Sequence, residues 1–470
     1  MLKKHLHSLT LIAILALCYS ATLAPGLTWA NGGADGGDLI TAAATGGIAH
    51  PSGYPLYLLL ARAFQWLPIG TLAFRTNLFS AVCTGLAALA LQTFLRRQQI
   101  SSDIALIAGL AFGLAPAIWS QAVISEVYGL QSLLLILFVW GMLEENLPGG
   151  EWMRGLLFGL TLSNHLTALL LFPLLLLRAT PQVGLVYPGN LVRRGLGCAT
   201  GLSVYITLWI RAIWFNAPVN WGNPVTLENF WWLVSGRLYA SYPFDISLAE
   251  AGLRLRAVGG LLLEQFTIIG VLLGIYGLFS GLPRRTLLVT LWIFVCFAGF
   301  ATFYGSYDSQ VYLIPAYLAF VIWVAYGIQD IPPKLAKPAV TLIFLGLLVR
   351  APFTLPTVDA ANAPQAEQFG ARYIVQAPQT AIIFASGDKA VFALWYFHYA
   401  LHQRPDTVII ADELLPYRWY AENLAHTYPS LRLSVTGTSR YEIIAQNPGR
   451  FVCYVSSENL NQAEFCNASP

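Results

Sequence analysis

The sequence carries very little charge for its length. Only 10% of its 470 residues are charged, while 56% are hydrophobic, and soluble domains carry about 25% charged residues. A soluble protein of this composition would lack the polar side chains needed to cover its surface. Repeated apolar runs of about twenty residues instead predict a protein that crosses a membrane many times.

Signatures of several other protein classes are also missing. The net charge is only +3, and the sequence has no basic tract, no Cys/His spacing typical of zinc and no Gly-Lys-Ser/Thr phosphate loop. We therefore expect no nucleic acid partner and no metal site. Four of the six cysteines lie in apolar runs and are predicted core residues. Cys453 and Cys466 either form a disulfide, if their part of the chain is outside the cytoplasm, or stay free.

The first apolar run, residues 9–29, allows two interpretations. Lys3 and Lys4 precede it, and Ala21–Thr22–Leu23–Ala24 resembles a signal-peptide cleavage region. Because the apolar run continues past that region and many further runs follow, the sequence favours an uncleaved first transmembrane helix with a cytoplasmic N-terminus.

The later apolar runs predict about eleven membrane segments in total. The candidate spans are 78–95, 104–119, 127–143, 155–177, 196–215, 260–278, 287–304, 311–328 and 339–349. The basic residues between them are Arg96–Arg97, Arg193–Arg194, Arg284–Arg285, Lys334 and Lys337. The positive-inside rule places all of these in the cytoplasm only if 155–177 is a broken hairpin that returns near Ser163–Asn164–His165.

This topology predicts two domains and three outward-facing regions. Residues 1–353 form an all-α polytopic membrane domain, with outer loops at 31–77 and 216–258; the Trp-rich second loop, which contains Trp221, is expected at the membrane interface. Residues 354–470 form a small extracytoplasmic α/β domain, because the apolar runs 380–385, 407–411 and 451–455 alternate with helical patterns at 389–402 and 417–428.

The most informative polar residues lie in the first outer loop. Asp35 and Asp38 are three residues apart, so they share a face if that turn is helical, and a carboxylate can deprotonate an acceptor hydroxyl. Either Asp could equally cap the helix that begins near Leu39. His50 could act in the same site or be a hydrogen-bonded turn histidine.

Other polar residues on the same predicted side are candidates for binding a substrate. Arginines can hold a lipid phosphate or simply reach the headgroups. Polar residues at membrane depth either mark a functional site or join helices by hydrogen bonds. The residues concerned are Arg62, Arg75, Arg211 and Arg237 for a phosphate, and Tyr54, Glu126, Asn164, His165 and Asp308 for the substrate in general.

Seven motifs, in order, resemble a family of multi-pass proteins long catalogued as unknown in function, whose eukaryotic branch includes a protein O-mannosyltransferase. The motifs are Asp35–Gly–Gly–Asp38–Leu–Ile, His50–Pro–Ser–Gly–Tyr–Pro–Leu–Tyr57, Arg75–Thr–Asn–Leu78, Ser125–Glu126–Val–Tyr128, Leu162–Ser–Asn–His165, Asn220–Trp–Gly–Asn–Pro224 and Asp308–Ser–Gln–Val–Tyr312. The resemblance covers most of residues 1–330. The family usually has Glu where Asp38 stands and Pro where Ser52 stands.

The resemblance implies a GT-C glycosyltransferase that uses a polyprenyl-phosphate sugar. We expect Asp35 to be the general base of an inverting transfer, with Asp38 and His50 orienting the acceptor or the base. Arginines hold the phosphate, so no metal or other cofactor is expected. The sugar is expected to pass, on the outer side of the plasma (inner) membrane, to a protein, lipid or glycan hydroxyl.

Three rival functions are compatible with parts of the sequence. A transporter or flippase of lipid-linked sugars would also use broken helices and polar residues, but it predicts polar groups near the bilayer midplane. A polyprenyl-linked glycan ligase differs from the favoured function only in its donor. A non-catalytic membrane scaffold would leave the polar cluster without a purpose.

Overall fold

The computed structural model describes residues 2–178, 184–242, 246–434, 438–457 and 466–468. A helical part extends from the N-terminus to Val358, and an α/β part follows it. The helices of the first part are α1 Leu2–Thr22, α2 Gly36–Thr45, α3 Pro55–Gln65, α4 Leu72–Arg97, α5 Ser102–Gly113, α6 Pro116–Ala122, α7 Tyr128–Leu143, α8 Gly150–Asn164, α9 Pro188–Leu202, α10 Ile206–Trp214, α11 Leu227–Val234, α12 Leu248–Phe279, α13 Arg284–Phe303, α14 Ile314–Gln329 and α15 Pro333–Val358.

Seven helical segments of the described chain are long and apolar enough to cross a membrane. An eighth candidate is α5 together with α6, which meet at a bend of 67°. The protein is therefore a multi-pass membrane protein, as the composition predicts. Of the eleven predicted segments, three are too short for this criterion, namely α7, α8 and the 3₁₀ helix Leu166–Leu176. The predicted outer loop 216–258 is too long, because α12 already begins at Leu248.

The predicted broken hairpin is present. Helix α8 ends at Asn164, His165 is extended with φ −151° and ψ 131°, and the 3₁₀ helix Leu166–Leu176 follows. The beginning of α8 and the end of the 3₁₀ helix meet at Arg194. This residue is bonded to the Glu151 carboxylate and donates to the carbonyl of Leu177 at 2.7 Å. The chain therefore enters and returns on one side, although which side of the membrane this is stays a prediction.

Helices α8 and α9 pack backbone to backbone through glycines. A methyl group on Gly155 would overlap the Arg194 carbonyl, and one on Gly201 would lie 2.6 Å from the backbone nitrogen of Leu160. Small residues at four-residue spacing allow such close approach between membrane helices. This contact places the hairpin against α9 and so fixes the depth of His165.

The α/β part contains a four-stranded sheet in the order β2-β1-β3-β4. Its elements are α16 Gln365–Gln376, β1 Ile382–Ser386, α17 Asp388–Trp395, β2 Val408–Ala411, α18 Arg418–Thr427, α19 Arg440–Gln446, β3 Phe451–Ser456 and β4 Cys466–Ala468. Strands β2, β1 and β3 are parallel and β4 is antiparallel. The three predicted strands are confirmed, and a disulfide joins Cys453 to Cys466.

The α/β part, called the C-terminal unit below, docks directly on α2. A Cβ atom on Gly37 would overlap the carbonyl group of Phe392 in α17. Two hydrogen bonds to the loops reinforce the contact, from Leu27 N to Glu367 Oε1 at 2.7 Å and from Asn423 Nδ2 to the Pro218 carbonyl at 2.7 Å. The position of α2 and that of the C-terminal unit therefore depend on each other.

We expect Gly37→Ala to loosen the C-terminal unit, because the added methyl group forces α2 and α17 apart. Amide hydrogen exchange in α17 should accelerate in the full-length protein. Gly36→Ala is the matched control, since a Cβ there lies at an ordinary 3.6 Å from Ser125 Cβ. Equal exchange in the two variants would contradict the contact.

We expect Gly201→Leu to lower the thermal unfolding midpoint in detergent, because overpacking a tight contact typically costs about 1–3 kcal/mol. Gly195→Leu on the same helix is the control, because a Cβ on Gly195 has no atom within 4 Å. If both variants unfold at the same temperature, α8 and α9 do not pack through these glycines.

Candidate active site

The two aspartates of the first loop occupy different environments at the start of α2. Asp38, in the first turn, is fully buried. Its Oδ2 accepts hydrogen bonds from the His50 backbone nitrogen at 2.9 Å and from His50 Nδ1 at 2.7 Å, and its Oδ1 accepts one from Trp221 Nε1 at 3.1 Å. All of these partners belong to the protein, so both carboxylate oxygens of Asp38 are already occupied by hydrogen bonds.

Asp35 remains available to a substrate. It occupies the N-cap position of α2 without making a capping hydrogen bond, and its side chain is 39% exposed. Desolvation raises the pKa of Asp35 to about 6, although the His50 cation opposes that rise. A general base works best when its pKa lies near the operating pH, so Asp35 is suited to that role.

His50 lies between the two carboxylates. Its Nδ1 faces Asp38 and its Nε2 lies 3.5 Å from Asp35 Oδ2. Burial alone would lower the pKa of His50, but the carboxylates of Asp35 and Asp38 outweigh it and raise the pKa to about 9. The ring is therefore a cation at neutral pH, and it is aimed at Asp35 by the bond to Asp38.

Three aromatic rings contact His50, and the nearest is Tyr54, edge-on at 5.0 Å. Trp221 meets the ring edge-on at 6.4 Å, and Phe392 of the C-terminal unit stacks on it at 6.3 Å and 14°. Trp221 is only 4% exposed and packs inside the protein, while the membrane-interface position of its loop stays a prediction. Its loop is held inward by the hydrogen bond from Ile48 N to the Val219 carbonyl at 2.9 Å.

Three further carboxyl groups are close enough to act on this centre. Glu126 is buried, and burial raises its pKa well above the ordinary value, with a further contribution from Asp35. Asp308 and Asp388, both exposed, also raise the pKa of Asp35. Asp388, in the C-terminal unit, was not predicted, because the family motifs do not extend that far.

Arg62 and Arg211 form a second feature beside two glycines. Arg211, which is buried, donates from Nη1 to the Gly47 carbonyl at 2.8 Å. A Cβ atom on Gly46 would lie 2.9 Å from Arg62 Nη1. Within the part of the chain that the structure describes, neither guanidinium is paired with a carboxylate, so both can receive an anion.

The other two predicted arginines are placed differently. Arg75 donates from its three guanidinium nitrogens to the carbonyls of Ile69, Gln65 and Gly70 at 2.6, 2.7 and 3.0 Å. It therefore closes the loop before α4 and has little capacity left for a phosphate. Arg237 is exposed in a short 3₁₀ turn that ends at Tyr239.

The membrane-depth residues join the site to the hairpin. Asn164 Nδ2 donates to Gln131 Oε1 at 2.9 Å and to the Val127 carbonyl at 3.3 Å, which ties α8 to α7. His165 lies within 6 Å, centroid to centroid, of three tyrosine rings. These rings are Tyr54, Tyr128 and Tyr312. Asn164 thus joins helices, while Tyr54 contacts both His165 and His50.

Among the described residues, no group of three or more His, Cys, Asp or Glu side chains is arranged to hold a metal ion. Asp38, His50 and Asp35 are three such side chains, and they lie in a line with His50 in the middle. There the His50 ring nitrogens face the two carboxylates instead of sharing a common centre with them.

Comparison with protein families gives two matches. Residues 35–180 match the N-terminal domain of the protein O-mannosyl-transferase TMEM260. Residues 366–448 match TMEM260-associated domain 2. The first match contains the line of Asp38, His50 and Asp35, and the second contains Asp388 and Phe392.

Similar proteins include two curated relatives. The chain is 26% identical to the mouse protein O-mannosyl-transferase TMEM260 over 90% of its length, and 22% identical to that of Dictyostelium discoideum over 86%. It spans 65% and 57% of the lengths of these relatives.

A solved structure has the same fold at low sequence identity. ArnT from Cupriavidus metallidurans bound to undecaprenyl phosphate aligns with a TM-score of 0.60 at 13% identity, covering 95% of this chain and 92% of the other. At that identity the match concerns the fold. Together with the two domain matches and the curated relatives, it confirms the resemblance drawn from the motifs: the chain is similar in sequence to the TMEM260 protein O-mannosyl-transferases and shares the fold of ArnT.

Proposed function

We propose that this protein transfers a sugar from a polyprenyl-phosphate donor to a hydroxyl group of an acceptor protein, with inversion at the anomeric carbon. The observation that carries the proposal is the line of Asp38, His50 and Asp35, which ends in one exposed carboxylate. The mannosyl group is the favoured sugar, because the curated relatives are named as protein O-mannosyl-transferases.

Asp35 acts as the general base in this mechanism. The acceptor hydroxyl gives its proton to Asp35 while its oxygen forms a bond to the anomeric carbon. The bond from that carbon to the phosphate oxygen breaks at the same time, and polyprenyl phosphate leaves with the electron pair. The nucleophile and the leaving group lie on opposite sides of the sugar, which is why the configuration inverts.

Asp38 and His50 act through Asp35 and not on the substrate. The two hydrogen bonds to Asp38 Oδ2 fix the backbone and the ring of His50. The His50 cation then holds the Asp35 carboxylate in place and limits the rise in its pKa. The predicted pair of catalytic aspartates is thereby divided into one base, Asp35, and one positioning residue, Asp38.

Arg62 and Arg211 are proposed to bind the donor phosphate. Guanidinium groups form strong charge-assisted hydrogen bonds to phosphate oxygens, and positive charge stabilises the leaving phosphate in the transition state. That ArnT was solved with undecaprenyl phosphate supports a lipid phosphate as the ligand. In this mechanism no metal ion is required, since the arginines neutralise the developing charge.

The active site is proposed to face the extracytoplasmic side of the plasma membrane. The C-terminal unit contacts the site and contains the disulfide Cys453–Cys466, and disulfides persist mainly in oxidising compartments. The basic pairs at the opposite ends of the helices then lie in the cytoplasm.

Asp35→Asn should reduce the release of polyprenyl phosphate by about 10²–10⁴-fold, the usual contribution of a general base. The wild-type rate should fall as the pH drops below about 6, because protonated Asp35 cannot accept the proton. The measurement is turnover of a panel of polyprenyl-phosphate sugars in lipid nanodiscs with an extracytoplasmic protein pool. Full activity of Asp35→Asn would remove this residue from the mechanism.

Asp38→Asn provides a second, distinguishable result. It removes the charge and hydrogen bond that raise the pKa of His50, so the cation that holds the pKa of Asp35 down is weakened. We expect a partial loss of rate and a displaced acid limb, because the weakened cation raises the pKa of Asp35 while loss of the Asp38 charge lowers it. A partial loss with an unchanged pH profile would mean that Asp38 is only structural.

Arg62→Gln and Arg211→Gln should each raise the KM for the donor about tenfold or more, since a hydrogen bond to a charged group contributes about 1.5–3 kcal/mol. Arg193→Gln is the control, because Arg193 is exposed on α9, next to Arg194 at the opposite end of the bundle. An unchanged donor KM in both site variants would place the phosphate elsewhere.

A further inference from the structure

The C-terminal unit brings one carboxylate to the active site that the transfer mechanism does not use. Asp388 is the first residue of α17 and is exposed. The adjacent Lys389 points elsewhere, with its ammonium group 5.9 Å from the centre of the Trp29 ring. Among the described residues, no hydrogen bond or ion pair occupies the Asp388 carboxylate, so it is open to a ligand.

The geometry of α17 aims Asp388 at the same space as Asp35. Phe392 stacks on His50, and its backbone lies against Gly37 next to Asp38. Residues four apart share a face of a helix, so Asp388 projects one turn before Phe392 towards the same centre. Its charge acts on Asp35 and on His50, which agrees with this placement.

Hydrogen bonds to Glu413 fix the turn that leads into α17. Glu413 accepts a hydrogen bond from the Gly387 backbone nitrogen at 2.9 Å and another from the Ser386 hydroxyl. Gly387 itself has φ +80°, a conformation that glycine adopts without strain. Asp388 is thus presented by an ordered turn whose own hydrogen bonds are made by Glu413.

Three carboxylates of this site reach solvent. Asp35 is partly exposed and Asp308 and Asp388 are exposed, the charges of Asp308 and Asp388 act on Asp35, and an ionised carboxylate has no proton to donate. A molecule that binds there must supply donors, as a polypeptide does with its amide and hydroxyl groups. An acceptor bearing phosphates or carboxylates next to its hydroxyl would be repelled.

We propose that Asp388 is an acceptor-binding residue, which takes a hydrogen bond or an ion pair from the polypeptide beside the hydroxyl that is glycosylated. The inference rests on the proposed function and narrows its acceptor to a polypeptide segment that is neutral or basic near the modified Ser or Thr. The donor phosphate binds at Arg62 and Arg211, so donor and acceptor are held by separate groups.

The test uses the full-length protein in nanodiscs at pH 8, where Asp35 is ionised. Two synthetic peptides present one Thr, flanked by Lys in the first and by Asp in the second. We expect the wild type to favour the Lys-flanked peptide. Asp388→Asn should raise the KM for that peptide about fivefold, the scale of an exposed charge pair, and should narrow the preference between the peptides.

Two controls separate a binding role from a structural one. Release of polyprenyl phosphate without peptide, with water as the acceptor, reports on the base and the donor site. Glu422→Gln removes an exposed carboxylate of the same unit, which pairs with Arg418 at 2.9 Å, and should keep the wild-type KM and preference. In Asp388→Asn the loss should fall on the peptide KM and not on water turnover.

The other possible outcomes contradict either the role of Asp388 or the proposed function. Equal losses of peptide transfer and water turnover would make Asp388 structural and overturn the inference. Unchanged peptide KM and preference, or a wild type that turns over donor but glycosylates neither peptide, would also overturn it while leaving the transferase intact. A wild type that turns over no donor with any acceptor would contradict the proposed function itself.

Discussion

The hydrogen bonds from His50 to Asp38 are the interaction on which the rest of the site depends. A single oxygen, Asp38 Oδ2, receives both the backbone nitrogen and Nδ1 of His50, so one buried carboxylate fixes a loop and a ring together. The other oxygen of Asp38 receives Trp221 and thereby fixes a second loop. Loss of these partners would leave a buried charge unpaired and would strongly destabilise the folded protein. The hydrogen bonds to Asp38 are therefore expected to form together or not at all.

The C-terminal unit contributes side chains to the surroundings of Asp38 and His50. One continuous apolar core contains Leu39 and Ile40 of α2, Trp221 of the second loop, and Ile382 and Phe392 of the C-terminal unit. Because Phe392 covers His50, the water-poor surroundings that raise the pKa of Asp35 are partly supplied by a different part of the chain. The stacking of Phe392 thus helps the loop to keep a charged imidazole buried.

Local patterns of the sequence predicted the helices well and long-range contacts poorly. The apolar runs located every predicted span, and the count of basic residues predicted the hairpin break near His165 because only that break puts all the basic pairs on one side. The strands β1, β2 and β3 were found for the same reason, since each is a short apolar run, whereas β4 was not predicted. By contrast, the stacking of Phe392 on His50 joins residues far apart in the sequence, and no local pattern records it.

The contacts of the arginines could not be predicted from the sequence either. Arg62, Arg75 and Arg211 are equivalent as residue types, and each is a plausible phosphate ligand by sequence. Backbone carbonyls have no sequence signature, so the three that occupy Arg75 could not be foreseen. What distinguishes Arg62 and Arg211 is that each has fewer backbone acceptors: Arg211 donates to the Gly47 carbonyl at 2.8 Å, and Arg62 donates to the Ala43 carbonyl at 3.5 Å.

The geometry of α2 also decides between the two interpretations of the loop aspartates. A capping carboxylate typically stabilises a helix by about 1 kcal/mol, and Asp35 occupies the N-cap position without making that bond. Asp38 likewise directs both of its oxygens away from the helix, towards His50 and Trp221. Both side chains thus forgo the nearest stabilising contact, which is expected where residues are retained for a site and not for local stability. In Asp35 the consequence is a partly exposed carboxylate whose ion-pair partner, among the residues that the structure describes, is the buried His50 at 3.5 Å.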